Sequence, residues 1–261
     1  MSSKLLKSSN IVAFVLTVLV NGLAGGTTIL GGKNTAMISD SNPTLITPAG
    51  YVFSIWGVIY VLLGVFVIYQ ALPRNNAKEF QNRIGWLFVL SSAANTSWIF
   101  LWQFGYLTVS IFLMFLLLVS LMAIYLRLNI GKSAVALREK LAVHLPFSVY
   151  LGWITIASIA NVAVALVSIK WGGFGVAPET WAVLVIVVAL LISTLVVATR
   201  KDVAYALVII WALLGIAVMQ SGNQTIVTLT EACAVIIVVV TATRLIVGRP
   251  SIRPIAPQAR A

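Results

Sequence analysis

YVFSIWGVIYVLLGVFVIYQAL, residues 51–72, holds no charged side chain, and Arg74, Lys78 and Arg83 follow it closely. As a helix it would extend about 33 Å, enough to cross a hydrocarbon core of roughly 30 Å. Seven further segments of this kind occur at 11–30, 84–102, 106–126, 145–169, 181–198, 203–219 and 226–247. Lys and Arg alternate from one connection to the next. The N-terminal tail, the second, fourth and sixth connections and the C-terminal end together hold 15 of the 17 basic residues, and Lys33 and Lys170 are the other two. Basic loops stay on the cytoplasmic side. The expected protein is therefore an all-α integral membrane protein, a polytopic bundle of eight transmembrane helices. It would lie in the plasma membrane with the N-terminus and C-terminus cytoplasmic. A wrong helix count would scramble the alternation.

Composition agrees. Charged residues are 9% of the chain and hydrophobic ones 61%, against about 25% and 45–50% in soluble domains. The net charge of +11 belongs to short loops facing an anionic leaflet. No basic run is interleaved with aromatics, so nucleic acid is not an expected partner. Cys233 is the single cysteine and His144 the single histidine. Neither has the spacing of a metal site, and no metal is expected.

Lys4 and Lys7 precede an apolar run through Asn21, Gly22, Ala24 and Gly25 that partly mimics a signal peptide. The run continues to Leu30, and a retained spanning helix is the favoured reading. The first loop, 31–50, is long for a connection and could fold over the mouth of the bundle. The fourth connection has an amphipathic stretch near Val135 to Leu141 suited to the interface. The tail at 249–261, rich in Pro and Arg, is expected to be disordered and cytoplasmic.

Three spans carry mixed faces. Phe53, Trp56, Gly57, Tyr60 and Gly64 share one face of the second span. Ser91, Asn95, Trp98 and Trp102 share one in the third, and Tyr150, Trp153, Ala157 and Asn161 one in the fifth. Lipid-facing stripes are usually plain Leu, Ile and Val. An unsatisfied amide in hydrocarbon costs several kcal/mol, so Asn95 and Asn161 should point inward. Any one face could be helix–helix glue. Three together suggest an apolar pocket with a few polar anchors, suited to a flat ligand.

These residues resemble the TspO/translocator family, the tryptophan-rich sensory proteins or peripheral benzodiazepine receptors. Thr47-Pro-Ala-Gly-Tyr-Val-Phe-Ser-Ile-Trp-Gly-Val-Ile-Tyr60 is similar to the family's second-helix signature. Asn95-Thr-Ser-Trp98 is similar to its third-helix motif, and Tyr150-Leu-Gly-Trp153 with Ala157 and Asn161 to its fifth. The resemblance implies a five-helix core at 1–169, closed by the first loop, and a three-helix membrane extension at 170–248. It also implies an intramembrane pocket for a tetrapyrrole or sterol-like ligand. Trp56, Tyr60, Asn95, Trp98, Tyr150, Trp153, Ala157 and Asn161 would line that pocket. Haem or porphyrin would be a ligand there, with no cofactor otherwise implied. Departures exist: Val149 stands where the family has proline, the gap from Tyr51 to Trp56 is one residue short, and the first loop lacks tryptophan.

Members of that family are regarded as binders, sensors, receptors or transport-linked proteins. The chain shows no HExxH, no nucleophile with a base, no paired intramembrane acids and no phosphate-binding glycine loop, so no enzymatic role is assigned. The alternative is a secondary transporter or permease component. Glu231, a third of the way into the last span, would be its proton- or ion-coupling group, working with Asn95 and Asn161. Its plainer reading is a carboxyl near the outer interface, protonated or bonded to a threonine. The expected partners are the lipid bilayer and a small planar hydrophobic ligand, with a homodimer left open.

Overall fold

Each of the eight apolar segments forms a long helix. They are α1 (Ser3–Gly26), α2 (Ile55–Ala71), α3 (Leu87–Gln103), α4 (Leu107–Arg127), α5 (Leu145–Ser168), α6 (Pro178–Arg200), α7 (Val203–Met219) and α8 (Gln224–Val247). The computed structural model describes residues 3–247, where the chain is helical and contains no strand. The tail at 249–261 lies outside the described residues, and with it the expectation of disorder there. Six helices are long and apolar enough to cross a membrane: α1, α2, α4, α5, α6 and α8, with α2 and α5 counted together with the turns that lead into them. The chain is a helical membrane protein.

Two helices fall short of that measure. α3 and α7 have 17 residues each. α3 carries several polar groups, and three of them turn inward: Ser91, Ser92 and Asn95 are buried. α1 begins at Ser3, ahead of the apolar segment, and ends at Gly26, after Gly25 and Gly26 remove the side chains that favour helix. A separate short helix, Glu79–Ile84, ends at Gly85 before α3 starts. The lead into α5 is a π turn, Lys140–His144. Pro146 in the first turn of α5 has no N–H for the carbonyl four residues back, which explains the wider turn there.

Packing contacts close five helices into a ring, in the order α1, α3, α4, α5, α2 and back to α1. Polar ties cross the ring. Asn10 donates to Gln70 at 2.8 Å, joining α1 to α2, and Asn21 donates to Asn95 at 2.6 Å, joining α1 to α3. α1 is therefore built into the bundle. α7 packs on the outside of α5, α8 packs on α7, and α6 packs on α8. The last three helices thus meet the ring mainly through α7.

The basic connections gather at one end. Lys7 donates to Asn76 in the second connection. Lys78 pairs with Glu139 of the fourth at 3.3 Å. Arg200 of the sixth donates to Asn129 of the fourth at 2.9 Å. Gly131 passes so near that a Cβ there would lie 2.0 Å from the Arg200 carbonyl oxygen. Asp202 begins α7 at this end. Its carboxylate accepts from Tyr125 Oη (2.9 Å), Ser148 Oγ (2.6 Å) and the Tyr205 backbone N–H (3.2 Å). Three donors compensate the burial of one charge.

Candidate functional site

The aromatic faces of α2, α3 and α5 meet inside the ring, in the half away from the basic loops. Trp56 is their hub. It stacks on Tyr60 (5.7 Å between centroids, 16°) and on Trp98 (6.2 Å, 28°). Tyr150 and Trp153 approach it edge-on at 6.1 and 6.0 Å. Phe53, in the 3-10 turn Gly50–Ser54 before α2, meets Trp153 at 5.8 Å, and Trp98 leans on Trp102 at 5.4 Å. Spacings of three and four residues put each set on one side of its helix, and ring closure turns those sides toward each other.

Both asparagines point inward, and both are satisfied. Asn95 is fully buried, accepts from Asn21 and donates to Tyr150 Oη at 3.1 Å. Asn161 accepts from Trp98 Nε1 at 2.6 Å and donates to Ser110 Oγ at 3.0 Å. These bonds join α1 to α3 and α5, and α3 to α5 and α4. In this cluster two buried groups make no hydrogen bond among the described residues: the Trp153 indole N–H and the Tyr60 hydroxyl.

A cavity of about 30 Å³ lies in this cluster. Trp56, Trp98, Trp153, Ala157 and Asn161 line it, with Phe53, Trp102 and Met114. Asn95, Tyr60 and Tyr150 stand behind that wall. Thr35, Ser39 and Pro48 of the first loop cover it, with Thr35 and Ser39 on the short helix Thr35–Asp40. The cavity is far below the roughly 300–1,000 Å³ of a drug-sized pocket, because the rings fill the space with one another.

Glu231 stands apart. It lies on the exposed side of α8, which packs principally on α6 and α7, and not on the helices that carry Asn95 and Asn161. Among the described residues it makes no hydrogen bond or ion pair, and Thr228 accepts from Gln224 at 3.1 Å. Among the described residues no three His, Cys, Asp or Glu side chains converge on a common point.

Sequence reasoning missed Asn21, Ser110 and Asp202. Asp202 carried a signal, since Asp directly before an apolar helix is an N-cap pattern. Asn21 and Ser110 carried none beyond being polar in an apolar run.

A family model described as TSPO-like protein matches residues 6–243. The match runs on through α6 and α7 and most of α8, the helices that the sequence set apart as an extension. No curated protein and no solved structure matches the chain.

Proposed function

The chain belongs to the TSPO-like family, and on that premise we propose that it binds or senses a flat hydrophobic ligand, of tetrapyrrole or sterol-like class, between the aromatic faces of α2, α3 and α5. The observation that carries this reading is the Trp153 side chain. It forms part of the cavity wall, and its buried N–H has no acceptor among the described residues. A buried donor left unmet costs about 1–3 kcal/mol, and a ligand oxygen or nitrogen would recover that.

A ligand of this size needs the rings to separate. Ring–ring contacts worth roughly 0.5–1.5 kcal/mol each would be exchanged for ring–ligand contacts of the same kind, which offsets the opening. Binding coupled to rearrangement suits a sensor. The one histidine, His144, is not on the cavity wall, so a haem there would not take a histidine as its axial ligand.

The same proposal has all eight helices crossing the plasma membrane, with the basic end and both termini cytoplasmic. At 17 residues α3 and α7 are about 25 Å long, a shortfall that local thinning of the bilayer accommodates.

The test is titration of the purified protein with protoporphyrin IX and, separately, a fluorescent sterol, followed by tryptophan quenching. Trp56→Ala and Trp153→Phe should raise Kd about five- to thirtyfold, and Phe112→Ala, on the exposed side of α4, should not. Equal affinity in wild type and both cluster variants would overturn the site.

A further inference from the structure

The first loop is strapped across the top of the aromatic cluster and is fastened at both ends. On one side Trp102 Nε1 donates to the Thr35 carbonyl (3.2 Å) and Gln103 Nε2 to that of Lys33 (3.2 Å), both from α3. On the other side the loop is bonded to α7, some 160 residues away in sequence. Gln220 Nε2 donates to the Thr44 carbonyl at 3.1 Å. The Ala49 N–H donates to the Gly215 carbonyl at 3.0 Å. Trp211 Nε1 donates to the Val52 carbonyl at 3.3 Å, and its ring meets Tyr51 edge-on at 5.3 Å.

Gly215 makes this approach feasible. A Cβ there would lie 2.2 Å from Val52 Cγ2 and 3.3 Å from Pro48 Cβ. A glycine inside a helix is unfavourable by itself, and here it lets two backbones touch. Val52 is fully buried against it. The fastened residues are the ones that matter to the cluster: Pro48 and Phe53 line the cavity, and Phe53 and Trp56 follow Val52 directly into α2.

We infer that Trp211, Gly215 and Gln220 are positioning residues: α7 holds the outer wall of the aromatic site closed and fixes where the α2 aromatic face begins. Resting on the reading of that cluster as a ligand site, this gives the last three helices a role in access to it. A smaller apolar cavity of about 20 Å³ supports the assignment. It lies between α5, α6, α7 and Ile46 of the loop, and it shares Ile156 and Ala160 with the main cavity. Release of the strap from α7 would therefore open both cavities together.

The test reads loop opening without any ligand. Ile46, a buried residue of the strap itself, is changed to Cys in a Cys233→Ala background, and the rate of maleimide labelling is measured in detergent. Labelling of a transiently exposed thiol follows the population of the open form. Trp211→Phe and Gln220→Ala should each raise the rate about fivefold, the factor carried by one ordinary hydrogen bond. Gly215→Ala should raise it further where the protein still folds, and the two milder variants decide the matter where it does not. Unchanged labelling in both milder variants would overturn the inference. So would an equal rise in Asp202→Ala, which loosens the far end of α7, because that would mean global opening. Protoporphyrin release from the same variants, measured in parallel, should speed up by a similar factor. Faster labelling in a protein that binds no porphyrin would sink the ligand reading and leave the strap standing.

Discussion

The bond between Trp98 and Asn161 can be tested as a thermodynamic cycle. The donor and acceptor are 2.6 Å apart, and the two residues are 4% and 1% exposed. Asn161→Ala removes the acceptor of the Trp98 N–H and costs about 1–3 kcal/mol for the orphaned donor. Ser110 is affected less, because its hydroxyl already donates to the Leu107 carbonyl at 2.7 Å. Trp98→Phe leaves the Asn161 oxygen within 3.3 Å of Ser110 Oγ. Its cost is about 2 kcal/mol, mostly lost indole contact with Trp56 and Trp102. Inter-helix hydrogen bonds in membranes average only about 0.6 kcal/mol, with a maximum near 1.7. The short distance and full burial argue for the upper half of that range. The double variant should therefore be about 1–1.5 kcal/mol more stable than the sum of the single effects predicts. Reversible unfolding of the four proteins in mixed micelles measures this directly. Additivity within about 0.3 kcal/mol would show that the contact contributes nothing and that the asparagine faces inward for another reason.

Asp202→Ala should lower stability by about 2–4 kcal/mol, since three donors lose their acceptor at once. Asp202→Asn should cost about half as much, because asparagine still caps a helix, and thermal unfolding of both variants checks the order. Glu231→Gln should leave stability within about 0.5 kcal/mol of wild type, as expected at an exposed position without a partner. A gradient-driven flux that is lost in Glu231→Gln and kept in Trp153→Ala would move the function to α8. Reporters fused after Arg138 and inserted near Asn42 should read opposite sides of the membrane, and a same-side result would contradict the eight-crossing arrangement.

The helices were legible because crossing a membrane is a local requirement. Each stretch must satisfy its own backbone and present apolar side chains over a fixed length, so the 51–72 segment reveals itself without reference to any other part of the chain. The inward faces were legible for a related reason: Asn95 or Asn161 on a lipid-facing side would be costly, and helical spacing then brings Trp98 or Trp153 with it. Which groups would satisfy those amides was not legible. Asn21 and Ser110 come from helices whose rotation depends on packing against all the others. The sequence suggested an apolar pocket with a few polar anchors, and how much of that space the rings themselves take up was not legible, since aromatic residues mark a face equally well whether they enclose a space or occupy it. The strap from Thr44, Ala49 and Val52 to α7 was invisible beforehand, because nothing in the sequence around Gly215 and Trp211 marks a partner in a loop that far away. Sequence alone determined what each helix had to be, through costs paid residue by residue in hydrocarbon. Only the tertiary structure decided which helix holds which loop, because close approach between distant backbones depends on the shape of both surfaces at once.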